Sequence, residues 1–483
     1  TDPNAAAVTF LSCDNLSISG ITVDYDPCPF TQGQILSVSS SPKTVTVSVD
    51  AGFSTPDAAF FWSSAIPIQS RRINVFDASS YIYTGSLMVT SIASQTGSSY
   101  TLNVEEIPDS SYVGMPYVLM ARRSKHAFRL VNCQSSLLED MRVHASPGQG
   151  YNDMGGTANQ YLECRVVPRQ GRLQSANADG FYAKGSTSGP LIENCRFFNM
   201  DDDGINIGNN FSRILNRNND YTLIIDNRGG IEIGDRYQIV SPASGLVLKE
   251  MQVTAVSYLT WYGQSAQKVT FDTNVGSVHT VLSTGAPVAL GPISDYSLSP
   301  DMTPQELADI LPDLAINMDR SGNGAIIRYT TIGNTRSRGI LLQASDALIK
   351  GCKLVNTNGR GIVVAQSFDF YEGPGVSNLT IQDNEFQNLR LGNIYIGDRD
   401  VLKRAIPAAL SHHNLLIDNN SFLNFGSLAP NGNMNPTFTA IVLRNAETVT
   451  VSNNYFQPST EVQNIAPVMI DSTSTQQIEV LPY

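Results

Sequence analysis

The segment NMDDDGINIG, residues 199–208, sets Asp201, Asp202 and Asp203 in a row ahead of a short apolar run. Adjacent carboxylates repel, and one acid is enough to shape a turn. Held close in a fold, such groups divide protons unequally: repulsion raises one pKa and leaves the neighbours ionised. A protonated acid beside ionised carboxylates is the equipment of glycoside hydrolysis. Two other uses of the same residues stand beside that one: Asp side chains that only satisfy turn backbone, and oxygen donors for a calcium ion.

The elements that must position these acids repeat along the chain. ALIKGCKLVNTNGRGIVVA (347–365) aligns without a gap on AIIRYTTIGNTRSRGILLQ (325–343), an offset of 22 residues. PLIENCRFFNMDDDGINIG (190–208) fits the same frame, and NLTIQDNEFQNLRLGNIYIG, NLLIDNNSFLNF and TVTVSNNYFQ continue it with longer excursions. Upstream, CDNLSISGITV and CQSSLLEDMRV match, with Ile18, Ile21 and Val23 opposite Leu138, Met141 and Val143. One such unit cannot bury its apolar face alone, whereas units stacked at a strand spacing of ~4.8 Å make a continuous core. The pattern predicts an all-β chain, a right-handed parallel β-helix, rather than a sandwich, whose strands do not recur in register. Cys195 and Cys352 share one slot of the repeat, which predicts inward thiols; disulfides among the six cysteines stay open.

Two blocks break the rhythm and alternate as ordinary strands, each long enough for a small inserted β-barrel. The expected division is 1–32 first coils, 33–120 first barrel-like insert, 121–214 coils bearing the acids, 215–297 second insert, and 298–483 a helix-containing linker with the last coils. TPQELADIL supplies the helix: Thr303 caps it and Glu306 completes a capping box.

Extended backward, the frame lines up NADGFYA (177–183) with DDDGINI (201–207), so Asp179 takes the slot of Asp203 one coil away. The next coils hold Arg338 and Arg360 in that slot, and Arg336 in the slot of Asp201. If Ile205 and Ile207 point inward, alternation turns Asn206 outward, with Tyr182 in its slot on the previous coil. These residues describe a groove floor. Tyr371 and Glu372, in FYEG, lie in an excursion able to arch over it. The expected substrate contacts are Asp201, Asn206, Tyr182, Arg336, Arg338, Tyr371 and Glu372.

Composition removes other classes. A net charge of -12 argues against nucleic acid or an anionic membrane as partner, and no apolar stretch reaches a membrane span. The five histidines lack metal-pair spacing, no CxxC occurs, and neither a GxSxG elbow nor a phosphate-binding GxxxxGK[ST] loop is present. No metal or cofactor is expected. The chain begins at Thr1, which is read as the end of a processed or trimmed product, and homo-oligomerisation is left open.

In the order GRLQSANADGFYA, GPLIENCRFFNMDDDGINIG, DRSGNGAIIRYTTIGNTRSRGILLQAS and FYEGPGVSNLTIQDNEF, the sequence resembles glycoside hydrolase family 110, the β-helical α-1,3-galactosidases. VDYDPCPFTQGQI and PGQGYNDMGG are similar to earlier segments of that family. The resemblance implies an inverting exo-hydrolase for terminal α-galactose, secreted or periplasmic, with barrel inserts on its helix. It makes Asp202 the general acid and gives Asp179 and Asp203 the attacking water. Gly208 stands where the family often has His, and Asp201 is an extra carboxylate. Polygalacturonases are similar in their paired Asp, but their G-H-G and R-I-K motifs are missing from the expected places, which disfavours pectin. The rivals are a relative with another sugar or linkage specificity, a lyase using Arg336 or Arg338 as base, and a noncatalytic glycan-binding β-helix such as an adhesin or tail component.

Overall fold

A computed structural model describes residues 5–62, 70–281, 298–299, 301–399, 402, 404, 409–426, 439–460 and 465–481. Three long parallel sheets run the length of the molecule, and each successive coil adds one strand to each sheet, giving a right-handed parallel β-helix. The sheet that matters for chemistry contains, in order, Tyr151–Met154, Phe181–Lys184, Ile205–Asn210, Ile340–Leu342, Ile362–Val364, Ile394–Ile396 and Ile441–Leu443. Its register follows the repeat: Ile205 pairs with Phe181 on one side and Ile340 on the other, and Ile340 pairs with Ile362. Farther upstream, Ile18 pairs with Leu138 and Val23 with Val143.

Two side-chain habits keep the coils in register. Inward apolar residues stack on their own kind, as in Phe386, Phe422 and Phe456, whose rings lie 4.9 and 5.1 Å apart and nearly parallel. At the corners, Asn334, Asn356, Asn388 and Asn424 adopt positive φ and form an amide ladder, each donating to the carbonyl oxygen of the one before. Asn tolerates the left-handed conformation and carries both donor and acceptor, which is why the chain is so rich in it. Cys195 and Cys352 lie inside the stack, both buried, and all six cysteines are free thiols.

Two closed barrels interrupt the winding. The first joins Phe30–Ser40, Lys43–Ser48, Arg71–Phe76, Tyr83–Thr96, Ser99–Val104 and Pro116–Ala121; the second joins Ser212–Asn219, Thr222–Asp226, Arg236–Val240, Val247–Trp261, Gln264–Phe271 and Leu314–Asn317. Residues 282–297, which hold the boundary expected at 297, lie outside the described residues. The second barrel closes only through Leu314–Asn317, beyond that boundary and beyond the helix Pro304–Ile310. The strand is short and apolar and reads like one more coil, so its place in the barrel is set by pairing partners far away in sequence. Thr303 and Glu306 form the reciprocal capping box. Among the described residues, no helix is long and apolar enough to cross a membrane.

Within the helical core Asp153 points inward, accepting hydrogen bonds from Asn159 and Tyr161 while burial pushes its carboxyl up to about 6. A folded pKa above the unfolded value favours the protonated form, so this group's contribution is fully present below the unfolded pKa and is lost as pH rises through about 6. Chemical denaturation of the wild type between pH 4 and 7 is expected to show a loss of up to about 3 kcal/mol from this source, and Asp153→Asn is expected to flatten that slope.

Candidate active site

A cavity of about 920 Å³ opens over the sheet just described, and Asp179, Asp202, Asp203, Tyr182, Asn206, Arg336, Arg338 and Glu372 line it. One oxygen from each of Asp179, Asp202 and Asp203 falls within 4.8 Å of the other two. The stacking explains the convergence. Gly180 N donates to Asp203 O, which holds the loop before Phe181–Lys184 directly over the loop before Ile205–Asn210. Gly204 has no room for a side chain, since a Cβ there would lie 2.6 Å from Gly339 O. Asp202 and Asp203 therefore turn outward together at the same corner.

The three consecutive acids divide the work. Asp201 is fully buried and does not line the cavity. It accepts from Asn74 Nδ2 at 2.6 Å, from Arg336 Nε at 3.0 Å and from Arg122 Nη2 at 3.3 Å, with Arg72 Nε 3.9 Å away. Asn74 and Arg72 belong to the first barrel and Arg122 follows its last strand, so Asp201 clamps that barrel onto the coil. The expectation that Asp201 touches substrate is corrected: three cations and an amide surround it and leave no face for a sugar.

Asp202 faces the cavity with 20% of its side chain exposed, 2.7 Å from Arg122 Nη1 and 3.6 Å from Arg336 Nη2. Burial alone would raise its pKa, but Arg122, Arg336 and Arg338 outweigh burial and hold its carboxyl well below the usual range. Asp203 is buried and bound by Arg338, with Nε on Oδ1 and Nη2 on Oδ2, both at 2.9 Å. Burial still leaves its pKa raised, against the lowering by Arg338. Asp179 differs from both. Among the described residues it has no ion pair, only Gln149 Nε2 at 3.3 Å, and burial together with the charges of Asp202 and Asp203 pushes its carboxyl well above the ordinary range. Burial and charge thus favour the protonated form at Asp179, and the arginines favour the ionised form at Asp202. The resemblance to family 110 implies the reverse.

The other expected contacts separate cleanly. Asn206 faces the cavity, and among the described residues its buried Oδ1 has no hydrogen-bond partner. Glu372 reaches the rim because Glu372–Gly373 pairs antiparallel with Asn209 and Asn210; its carboxylate lies 3.6 Å from the buried Lys184 Nζ, itself under the Tyr182 ring. Tyr371 is corrected. It is buried outside the cavity, against Phe211 and Phe368, with Arg228 stacked 4.7 Å from its ring centroid. A positive φ at Tyr371 turns consecutive side chains to different sides, one into the core and one to the rim. Arg122, Arg72 and Gln149 are site residues that sequence reasoning missed; Arg122 follows a barrel strand outside the repeat, and no spacing ties it to the acids.

Three oxygen donors this close invite a calcium ion, but the donor set does not fit one. Asp202 and Asp203 are already paired with guanidinium groups, and a divalent ion among them would sit beside Arg122, Arg336 and Arg338.

No known protein-family model matches the chain, and no curated protein matches it. Solved structures similar to it include the A-module of a mannuronan C-5 epimerase from Azotobacter vinelandii, at 9% identity over 74% of this chain and 63% of that one, TM-score 0.32. A family 28 exopolygalacturonase from Yersinia enterocolitica is similar at 11% identity over 75% of this chain and 48% of that one, TM-score 0.31. The catalytic unit of an α-1,3-glucanase from Streptomyces thermodiastaticus is similar at 11% identity over 94% of both chains, TM-score 0.29. The chain thus spans less than two thirds of the first two, and likeness this distant bears on no activity.

Arg122→Gln is expected to destabilise the protein by about 3 kcal/mol in chemical denaturation, because it strips a partner from two desolvated carboxylates at once. In carboxyl-carbon NMR, one aspartate of the site is expected to titrate well above the ordinary carboxylate range, and its resonance should vanish in Asp179→Asn.

Proposed function

We propose that this protein is a glycoside hydrolase that removes terminal α-linked galactose, α-1,3 in linkage, by a single inverting displacement. One observation carries the reading: Asp179, buried and without an ion pair among the described residues, lies beside an arginine-held carboxylate, Asp202, on the floor of a sugar-sized cavity, a placement that favours a proton on the first and none on the second. The galactose and linkage specificity rests on the family 110 resemblance alone. In this reading the protein is secreted or periplasmic, where it would meet such glycans.

In this reading Asp179 donates its proton to the glycosidic oxygen as the bond to the anomeric carbon breaks. Asp202 and Asp203 hold the attacking water and take its proton. Asn206 Oδ1, unpartnered and buried, accepts from a sugar hydroxyl. One oxygen of each carboxyl lies within 4.8 Å of the other two, nearer the ~5–5.5 Å of retaining pairs than the ~6.5–9.5 Å usual for inverting ones; inversion therefore rests on the family 110 resemblance, with the water held by Asp202 and Asp203 themselves rather than in a gap between acid and base.

The test is a panel of nitrophenyl glycosides and galactose-capped oligosaccharides, with NMR of the fresh product anomer to decide inversion. Asp179→Asn is expected to lose roughly 10²–10⁴-fold in kcat on oligosaccharides, yet to stay active on a dinitrophenyl galactoside whose leaving group needs no proton. Asp202→Asn is expected to lose both. The opposite pattern would return the acid role to Asp202, and no turnover of any glycoside would leave a glycan-binding β-helix. Because the raised pKa of Asp179 keeps its proton on, the wild-type rate is expected to fall as pH rises through that pKa, and Asp179→Asn removes this basic limb.

A further inference from the structure

The wall of the cavity is rich in arginine, and three carboxylates outside its lining, Asp201, Asp369 and Asp471, lie within 3.9 Å of some of these side chains. Seven arginines line it against four carboxylates, in a protein whose net charge is -12. Four of the seven, Arg72, Arg122, Arg336 and Arg338, lie against Asp201, Asp202 or Asp203. The other three, Arg360, Arg399 and Arg444, gather at the far end, where no acid lines the wall.

Arg360 lies one coil beyond Arg338, whose neighbour Gly339 donates to Arg360 O. Its guanidinium stacks 3.8 Å from the ring centroid of Tyr395 on the next coil, and among the described residues it has no carboxylate partner; Leu391 O at 3.3 Å and the Tyr395 side chain are its polar contacts. Arg399 reaches Asp369 only at 3.8 Å. Arg444 Nε lies 3.5 Å from Asp471 without a hydrogen bond to it. A side chain at Gly397 would approach Arg444 Cβ to 2.8 Å, so glycine there leaves Arg444 its place. Three like charges converging on a shared wall repel, and an anion between them relieves that repulsion. Burial and the repulsion from Arg399 and Arg444 both act to lower the pKa of Arg360. The exposed Phe370 on the same wall offers an apolar ring face of the kind sugar rings pack on.

The geometry points to an anion subsite formed by Arg360, Arg399 and Arg444, so that the glycan carries a carboxylate or sulfate group on a sugar next along from the cleaved linkage. This rests on the reading of the cavity as a glycan site. The subsite lies two to four strand spacings from Asp203, about 10–19 Å along the helix axis, in the same cleft.

Calorimetric titration of the Asp202→Asn protein tests it without turnover. The probes are galacturonate oligosaccharides against their carboxyl-reduced counterparts, and sulfated galactan oligosaccharides against their desulfated ones. The charged member of at least one pair is expected to bind about tenfold more tightly or better, and which pair it is identifies the anion. Arg360→Gln in the same background should abolish the preference, and Arg444→Gln, on another coil, should weaken it independently. Equal binding within both pairs, no binding at all, or a preference untouched by both substitutions overturns the subsite. Charge-dependent binding in a wild-type protein that cleaves no glycoside would overturn the hydrolase reading and leave the subsite standing.

Discussion

Carboxylates crowded into a largely buried corner cannot all ionise unless cations are driven in among them, and the core of this site is built around that requirement. Arg336 and Arg338 arrive on the next coil, one strand spacing away, and Arg122 arrives from the end of a barrel inserted more than 50 residues earlier. Each guanidinium offers several donors in a fixed plane, so one arginine serves two acids. Arg122 does so at Asp201 and Asp202, and Arg336 at the same two. Fold and chemistry are coupled at this point, because the ion pairs that clamp the first barrel to the β-helix also set the charge state of Asp202.

That arrangement leaves one acid out. Asp179 sits on the preceding coil, beyond ion-pairing reach of the arginines among the described residues, and burial and the charges of Asp202 and Asp203 act on it together. Protonation is its way of avoiding an unpaired buried charge. The asymmetry a hydrolase needs, a proton on one carboxyl and none on its neighbour, thus follows from which coil the arginines occupy. The same column continues past the acids as Arg360, which among the described residues has no carboxylate partner, only a backbone oxygen and the Tyr395 side chain. Under the proposed function, one repeating slot holds the proton donor, a member of the base pair, a bracing cation and a substrate contact in succession.

Much of this was legible in the repeat. A 22-residue offset with alternating apolar positions determines a stacked parallel coil, because no other packing buries each unit against an identical neighbour. Once the frame is known, Asp179 opposite Asp203, Asp203 opposite Arg338, and Asn206 and Tyr182 on the outer face are matters of counting. Asp201 and Tyr371 show where counting stops. The repeat slot shared with Arg336 puts Asp201 in the groove and the arching excursion puts Tyr371 there, yet a corner turns neighbouring side chains to opposite sides, and burial against the barrel or against Phe211 and Phe368 decides which side each takes.

The sequence by itself thus determined the winding, the register of the coils and the convergence of Asp179 and Asp203, since these depend on periodicity and on local backbone preferences at Asn and Gly. Only the tertiary structure decided which acid keeps the proton, why there are three of them, and where the second barrel closes. Those outcomes depend, beyond the repeat's own Arg336 and Arg338, on Arg122, Arg72, Asn74 and Leu314–Asn317, which come from outside the repeat and meet their partners through contacts that close long loops. Electrostatic energy falls off with distance in space and is indifferent to distance along the chain, so no spacing within one segment could have carried it.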